Sequence, residues 1–213
     1  PNASDFTLAE SLMEDFDPVS FKKEQGFEDK FVITYLGAHG VANHLIQLID
    51  AAEKLQKAKV VFQLIGSGMQ KEMLQKEVQS RNLSNVVFVD PVPKKEVFKY
   101  ILASDMGASI LAKNDTFKTI YSNKTFDYMS CKKPIFLAID GVSRELVETA
   151  NCGIYVEPEN IEGIVSGVHK ALEMRGTLDS MGQNGYEYAK IHFDRQELAG
   201  KYIKKIEDFL QKE

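Results

Sequence analysis

From about residue 31 onward, the apolar residues switch back and forth between two periods. Short runs rich in β-branched and aromatic side chains read as buried strands: FVITYLG closing at Gly37, VVFQLIGSG closing at Gly66 and Gly68, NVVFVD, Met106 to Leu111, and Ile135 to Ile139. Between them the spacing is helical. Leu45, Leu48, Ile49 and Ala52 share one face, a helix is predicted from Gln70 to about Arg81, and Val97, Tyr100, Ile101 and Ala103 form the apolar stripe of the next. Further helices are expected from Ser143 to Ala150 and from Ile161 to Met174, around a weaker strand at Gly153 to Val156. The final third reads as helical, Thr177 to Ile191 and then Gln196 to Leu210, the latter with a stripe of Leu198, Tyr202, Ile206 and Leu210. Strands alternating with helices of this length require right-handed crossovers. The fold class predicted is therefore α/β, a Rossmann-like doubly wound parallel sheet of about six strands with helices on both faces and a C-terminal helical segment. Residues 1–30 show no sustained period and predict a linker or N-terminal extension with one short helix near Leu8 to Glu14; residues 31–213 form the domain.

The stretch YSNKTFDYMSCKKPIFLAI, Tyr121 to Ile139, concentrates the polar chemistry. Ser122 or Asn123 is placed to cap a helix whose first turns carry Lys124 and Asp127, and Pro134 ends that helix before a buried strand. Ligands of open parallel sheets settle at the carboxyl ends of the strands, where helix N-termini present free N–H groups. A lysine there suits phosphate and an aspartate suits sugar hydroxyls; a plain dipole-stabilised helix start accounts for the pair equally well. Gly37 and Gly40 in GAHG, and Gly66 with Gly68, mark turns where a phosphate could approach backbone amides. The third glycine of a dinucleotide fingerprint is replaced by Asn43, and no G-K-[ST] triplet is present, so NAD, FAD and Walker-type readings lose support.

Composition narrows the picture further. A chain of 213 residues with 44% hydrophobic and 27% charged residues supports one sizeable core, and a formal net charge of −5 argues against nucleic acid. No apolar run is long enough to span a bilayer. Cys131 and Cys152 form no disulfide framework and fit reduced core thiols in a cytosolic setting. His39, His44, His169 and His192 show no metal-ligand spacing, so neither a protein-held metal nor another cofactor is expected.

Several segments, in order, carry a resemblance: PNASD at the start, YLGAHGVANHLIQLIDAAEKL, FQLIGSGMQKEMLQKEV, LSNVVFVDPVPKKEVFKYILASDMGASI, SNKTFDYMSCKKPIF and MGQNGYEYA. Together they resemble the C-terminal domain of GT-B glycosyltransferases, retaining family four, over nearly the whole chain. The resemblance implies a domain that holds a nucleotide-diphosphate sugar, taken as a UDP-sugar, for retaining transfer in surface polysaccharide assembly. The acceptor-binding N-terminal domain would be missing from this chain, which starts at an interdomain position and without Met, and the fragment alone would bind nucleotide but transfer nothing. By the same resemblance Lys124 is the catalytic, phosphate-side lysine, and Asp127 stands where a glutamate contacts the nucleotide ribose. Gly66, Gly68 and the backbone at Val92 and Pro93 wall the base pocket, and Gly37, His39, Gly40, Ser122 and Asn123 complete the site. The first glutamate of the family's pair falls at Thr119 and is absent, and His39 and Asn43 occupy the place of a basic pair. The implied location is cytoplasmic, with the full-length protein peripheral to the inner membrane. A nucleotide-sugar epimerase, using His39 and Glu145 as acid/base groups, and a non-enzymatic α/β binding module are the competing readings.

Overall fold

The computed structural model describes residues 6–210, so the PNASD segment lies outside it. Six strands form one wholly parallel sheet in the order β3-β2-β1-β4-β5-β6: β1 Phe31–Leu36, β2 Val60–Ile65, β3 Val86–Val89, β4 Met106–Ile110, β5 Ile135–Ala138 and β6 Gly153–Tyr155. This bears out the doubly wound sheet expected from the alternating pattern. The strand order reverses between β1 and β4, and the loops leaving those two strands diverge to opposite faces of the sheet.

The helices are α1 Phe6–Asp15, α2 Pro18–Glu24, α3 Ile46–Lys54, α4 Lys71–Ser80, α5 Lys94–Ala103, α6 Asn123–Ser130, α7 Val142–Thr149, α8 Ile161–Glu173, α9 Leu178–His192 and α10 Arg195–Leu210. They cover both faces, which is why the strands read as continuous apolar runs. In β5, Phe136 and Ala138 pack on one side with Leu48, Ile49 and Ile164, while Ile135 and Leu137 pack on the other with Phe126, Met129 and Val147. The face predicted for α3 is buried as expected, Leu45, Leu48, Ile49 and Ala52 included.

Two expectations need correction. The short helix expected near Leu8 to Glu14 is α1, but residues 6–24 are more than a linker: they also form α2, and both helices lie against the domain. Phe6, Ala9 and Leu12 are buried, Phe6 to 3% exposure with its ring edge-on to Tyr186 at 5.3 Å, and Glu10 receives hydrogen bonds from Tyr186 and Lys190. Asp17 caps α2 by accepting from the Val19 and Ser20 amides, and Lys22 reaches Asp105 at 2.6 Å. The stripe of α5 is also displaced: Phe98, Ile101 and Leu102 are its buried residues, while Val97 and Tyr100 are partly buried. The cause is α2, whose Phe21 ring meets Tyr100 at 5.0 Å, so α5 has apolar neighbours on two sides. On α10, Tyr202, Ile203, Ile206 and Phe209 are exposed, while Leu198 is partly buried.

If α1 is part of the folded unit, Phe6→Ala should destabilise the chain by about 3 kcal/mol in urea denaturation. An unchanged midpoint would return residues 6–15 to the status of a free extension.

Candidate functional site

Helix α6 is set on the sheet by two side chains. Tyr128 is fully buried, and its ring lies directly over Gly107 of β4: a Cβ there would sit 2.2 Å from the Tyr128 ring. Its hydroxyl lies 3.1 Å from the Thr34 carbonyl oxygen and 3.0 Å from that of Ala108, donating to this pair, and accepts the Leu36 N–H at 3.3 Å. The phenol thus closes the seam where β1 and β4 part. One turn earlier, the Thr125 hydroxyl donates to Ser109 at 3.0 Å. Lys124 and the first turn of α6 are thereby held at the carboxyl end of β1.

Ser122 takes the N-cap position, but its side chain makes no capping bond, and Asn123 is exposed. The first amides of α6 therefore keep their capacity to donate to an anion. Lys124 Nζ lies 5.0 Å from the centre of the Tyr35 ring, and its stem passes Gly37 so closely that a Cβ on Gly37 would meet Lys124 Cε at 3.4 Å. Burial alone drags its ammonium down to about 8, and among the described residues no carboxylate counters the shift. Asp127 follows three residues later, partly buried on the same helix.

The turns after β1 and β2 pack backbone to backbone. A Cβ on Gly66 would stand 2.0 Å from the Gly37 carbonyl oxygen, and φ at Gly66 is +136°, so a side chain is excluded twice over. His39 N–H donates to the Ser67 carbonyl oxygen, and the Gln70 N–H to that of His39. Gly37, Ala38, Gly66, Ser67, Pro91 and Val92 line a mainly apolar cleft of about 400 Å³ at the ends of β1, β2 and β3. Gly37, Gly66 and Val92 of the expected site thus meet in one cavity, with Lys124 at its rim against Gly37. Gly40 and Gly68 shape the turns without lining it.

His39 departs from its expected role. Its side chain is fully buried between Tyr35 and Phe88, both ring nitrogens lack a hydrogen-bond partner, and burial with the Lys71 ammonium nearby pushes it down to about 4. A neutral, enclosed imidazole offers no positive charge to a diphosphate. Glu145, its suggested partner, is exposed on α7. A residue the sequence reading missed lies close by: Lys71, at the start of α4, donates to the Gly66 carbonyl oxygen at 2.9 Å and to Asp90 at 2.7 Å, bracing the second glycine turn. Its position three residues after Gly68 was the available signal.

A second cavity, of about 330 Å³, opens at the carboxyl ends of β4, β5 and β6, lined by Lys113, Asp115, Lys118, Asp140, Glu157 and neighbouring apolar groups.

With this geometry in place, the relatives are informative. The family described as glycosyl transferases group 1 matches residues 17–188, and the chain belongs to it. WcaI of Escherichia coli (strain K12), assigned to colanic acid biosynthesis as a glycosyl transferase, is 24% identical over 182 residues, covering 84% of this chain and 44% of that protein. The chain thus spans less than half the length of that curated relative. Anabaena Alr3699/HepE, solved in complex with UDP-glucose, superposes with a TM-score of 0.79 at 19% identity, over 91% of this chain and 53% of that one. The C-terminal domain of the group 1 protein LpcC from Francisella tularensis superposes with a TM-score of 0.70 at 17% identity, over 84% of this chain and 94% of that one. The resemblance to GT-B glycosyltransferases stands, and with it the Rossmann-like fold. Among the described residues no helix is long and apolar enough to cross a membrane.

Competitive acylation across a pH series should give Lys124 a midpoint near 8, about two units below exposed lysines. The folded state holds this proton less tightly than the unfolded chain. The burial penalty is therefore full below about pH 8 and relieved as pH rises toward 10.5. A Lys124 that titrates with the surface lysines would show that its ammonium is not desolvated.

Proposed function

We propose that this chain is the donor-binding half of a glycosyltransferase, holding a UDP-sugar for transfer with retention at the anomeric carbon in surface polysaccharide biosynthesis. The observation that carries the reading is Lys124: a desolvated ammonium without a carboxylate partner, at the uncapped start of α6 and the rim of an apolar cleft. A partly buried cation without an ion pair is unfavourable unless an anion completes it, and a diphosphate held there meets the lysine and helix-start amides together. The base occupies the cleft between Gly37, Gly66 and Val92, and Asp127 takes the ribose hydroxyls. As the donor bond breaks, charge builds on the leaving diphosphate, and Lys124 stabilises it; the proposal includes neither a protein-held metal nor another cofactor.

HepE, named for its UDP-glucose complex, and WcaI, assigned to colanic acid, support the donor and the pathway class. The likeness to an isolated C-terminal domain supports the division of labour, in which another part of the full-length protein binds the acceptor, in the cytoplasm at the inner membrane face.

Calorimetric titration with UDP, GDP, ADP and NAD tests this. UDP should bind selectively, Lys124→Ala and Asp127→Ala should each weaken it at least several-fold, and a chelator should leave it unchanged. Binding of NAD instead, or parent-like affinity in both variants, removes the site. Sugar transfer by this chain alone would refute the division of labour.

A further inference from the structure

The amino edge of the sheet has a cavity of its own. Two lobes, of about 200 and 270 Å³, meet there and share Ser104, Asp105 and Lys133. Asp105 directly precedes β4 and Pro134 directly precedes β5, so this space lies a strand's length, roughly 15–20 Å, from the cleft at Gly37. It is separate from the donor side of the molecule.

The lobes differ in chemistry. The smaller is polar, with Lys133, Arg175 and Asp179 in its lining, and the larger adds Pro18, Val19 and Leu102 beside Lys22. Over both, the cations Lys22, Lys133 and Arg175 are matched in number by the acids Glu28, Asp105 and Asp179, but depth separates the signs. Glu28 and Asp179 are exposed, and Glu28 faces Lys23, which is outside the lining, at 3.6 Å. Asp105 is 17% exposed and already committed to the scaffold. It accepts the Val32 N–H at 2.7 Å and Lys22 at 2.6 Å, and its own N–H donates to the Val32 carbonyl oxygen at 2.9 Å.

Lys133 is left over. Among the described residues it has no ion pair, and burial pulls its ammonium below the usual lysine range even though Asp105 and Asp179 act to raise it. Its backbone is fixed: the Lys133 N–H donates to the Tyr128 carbonyl oxygen at 3.0 Å, and a Cβ on Gly182 of α9 would stand 2.0 Å from the Lys132 carbonyl oxygen. Arg175, exposed on the turn between α8 and α9, lies over the Phe31 ring at 5.8 Å. Its approach to Asp105 is 3.5 Å, too long to occupy the planar fork of a guanidinium. A dianion between Lys133 and Arg175 completes two charges that the fold leaves open, while the apolar wall beside Lys22 accepts a carbon skeleton. A phosphate monoester, with a charge of about −1.5 to −2 near pH 7, has both parts; a diester lacks the second charge.

We propose that the amino-edge cavity binds an organic phosphate monoester, its phosphate held by Lys133 and Arg175 and its carbon group lying against Pro18, Val19 and Leu102. Phenyl phosphate is the probe, with inorganic phosphate and phenol as its two halves. Each is titrated calorimetrically into the chain and into Lys133→Met, Arg175→Gln and Lys124→Ala, in about 0.15 M chloride so that unspecific charge attraction is screened. Phenyl phosphate should bind the parent more tightly than either half, lose at least several-fold in Lys133→Met and in Arg175→Gln, and keep its affinity in Lys124→Ala. Parent-like affinity in Lys133→Met or Arg175→Gln overturns the site, as does the absence of saturable binding. A loss in Lys124→Ala assigns the anion to the start of α6 instead, and inorganic phosphate binding as tightly as the ester removes the role of the apolar lobe; either result overturns the proposal. Should Lys133→Met fail to fold, Arg175→Gln, on an exposed turn, decides by the same comparison.

Discussion

The site depends on one packed ring. Tyr128 fits over the seam between β1 and β4 only because Gly107 has no side chain, and its hydroxyl is met there by Thr34, Ala108 and Leu36. Where two strands diverge, their carbonyl and amide groups need partners, and a phenol supplies them from the adjoining helix. The same contact fixes α6 in height and rotation. Lys124, four residues earlier and so one turn closer to the carboxyl edge, is then held over Tyr35 against Gly37. Packing in the core and the position of the charge at the surface are one constraint.

That placement is costly to the folded state and useful to a ligand. Lys124 gives up hydration without an ion pair, and the Tyr35 ring face compensates only in part. Arg81 shows the opposite arrangement: it is surrounded by Asp50, Glu53 and Glu77, and its charge serves the joint between α3 and α4. Lys71 is likewise committed, to Asp90 and the Gly66 carbonyl. The contrast separates a desolvated cation with no carboxylate partner among the described residues from cations that belong to the scaffold.

The neighbouring turns supply shape rather than charge. Gly66 and Gly68 bring the turn after β2 against the turn after β1, where any Cβ would collide with the backbone of Gly37 or His39. His39 fills the space beneath as a neutral ring between Tyr35 and Phe88. The floor of the cleft is therefore apolar, and polarity returns only past α6, where the loops after β4, β5 and β6 converge.

Local pattern determined a good deal by itself. Buried strands appear as apolar runs because both faces of a parallel sheet are covered, and the glycine turns and the Lys124 to Asp127 helix start are short-range features written in adjacent residues. Three things were decided by tertiary contacts. Phe6, Ala9 and Leu12 make too short a stripe to announce a packed helix, and only the surface offered by Tyr186 and the α5–α6 side of the domain holds α1 in place. His39 looked like a ligand group because a histidine in a glycine turn is polar in sequence; its burial follows from how β1 and β3 place the Tyr35 and Phe88 rings beneath that turn. The polar cavity draws Lys118, Asp140 and Glu157 from three loops distant in sequence, and their meeting follows from β4, β5 and β6 lying side by side. Periodicity reports which face of an element is buried, but which elements share an edge is set by the sheet as a whole.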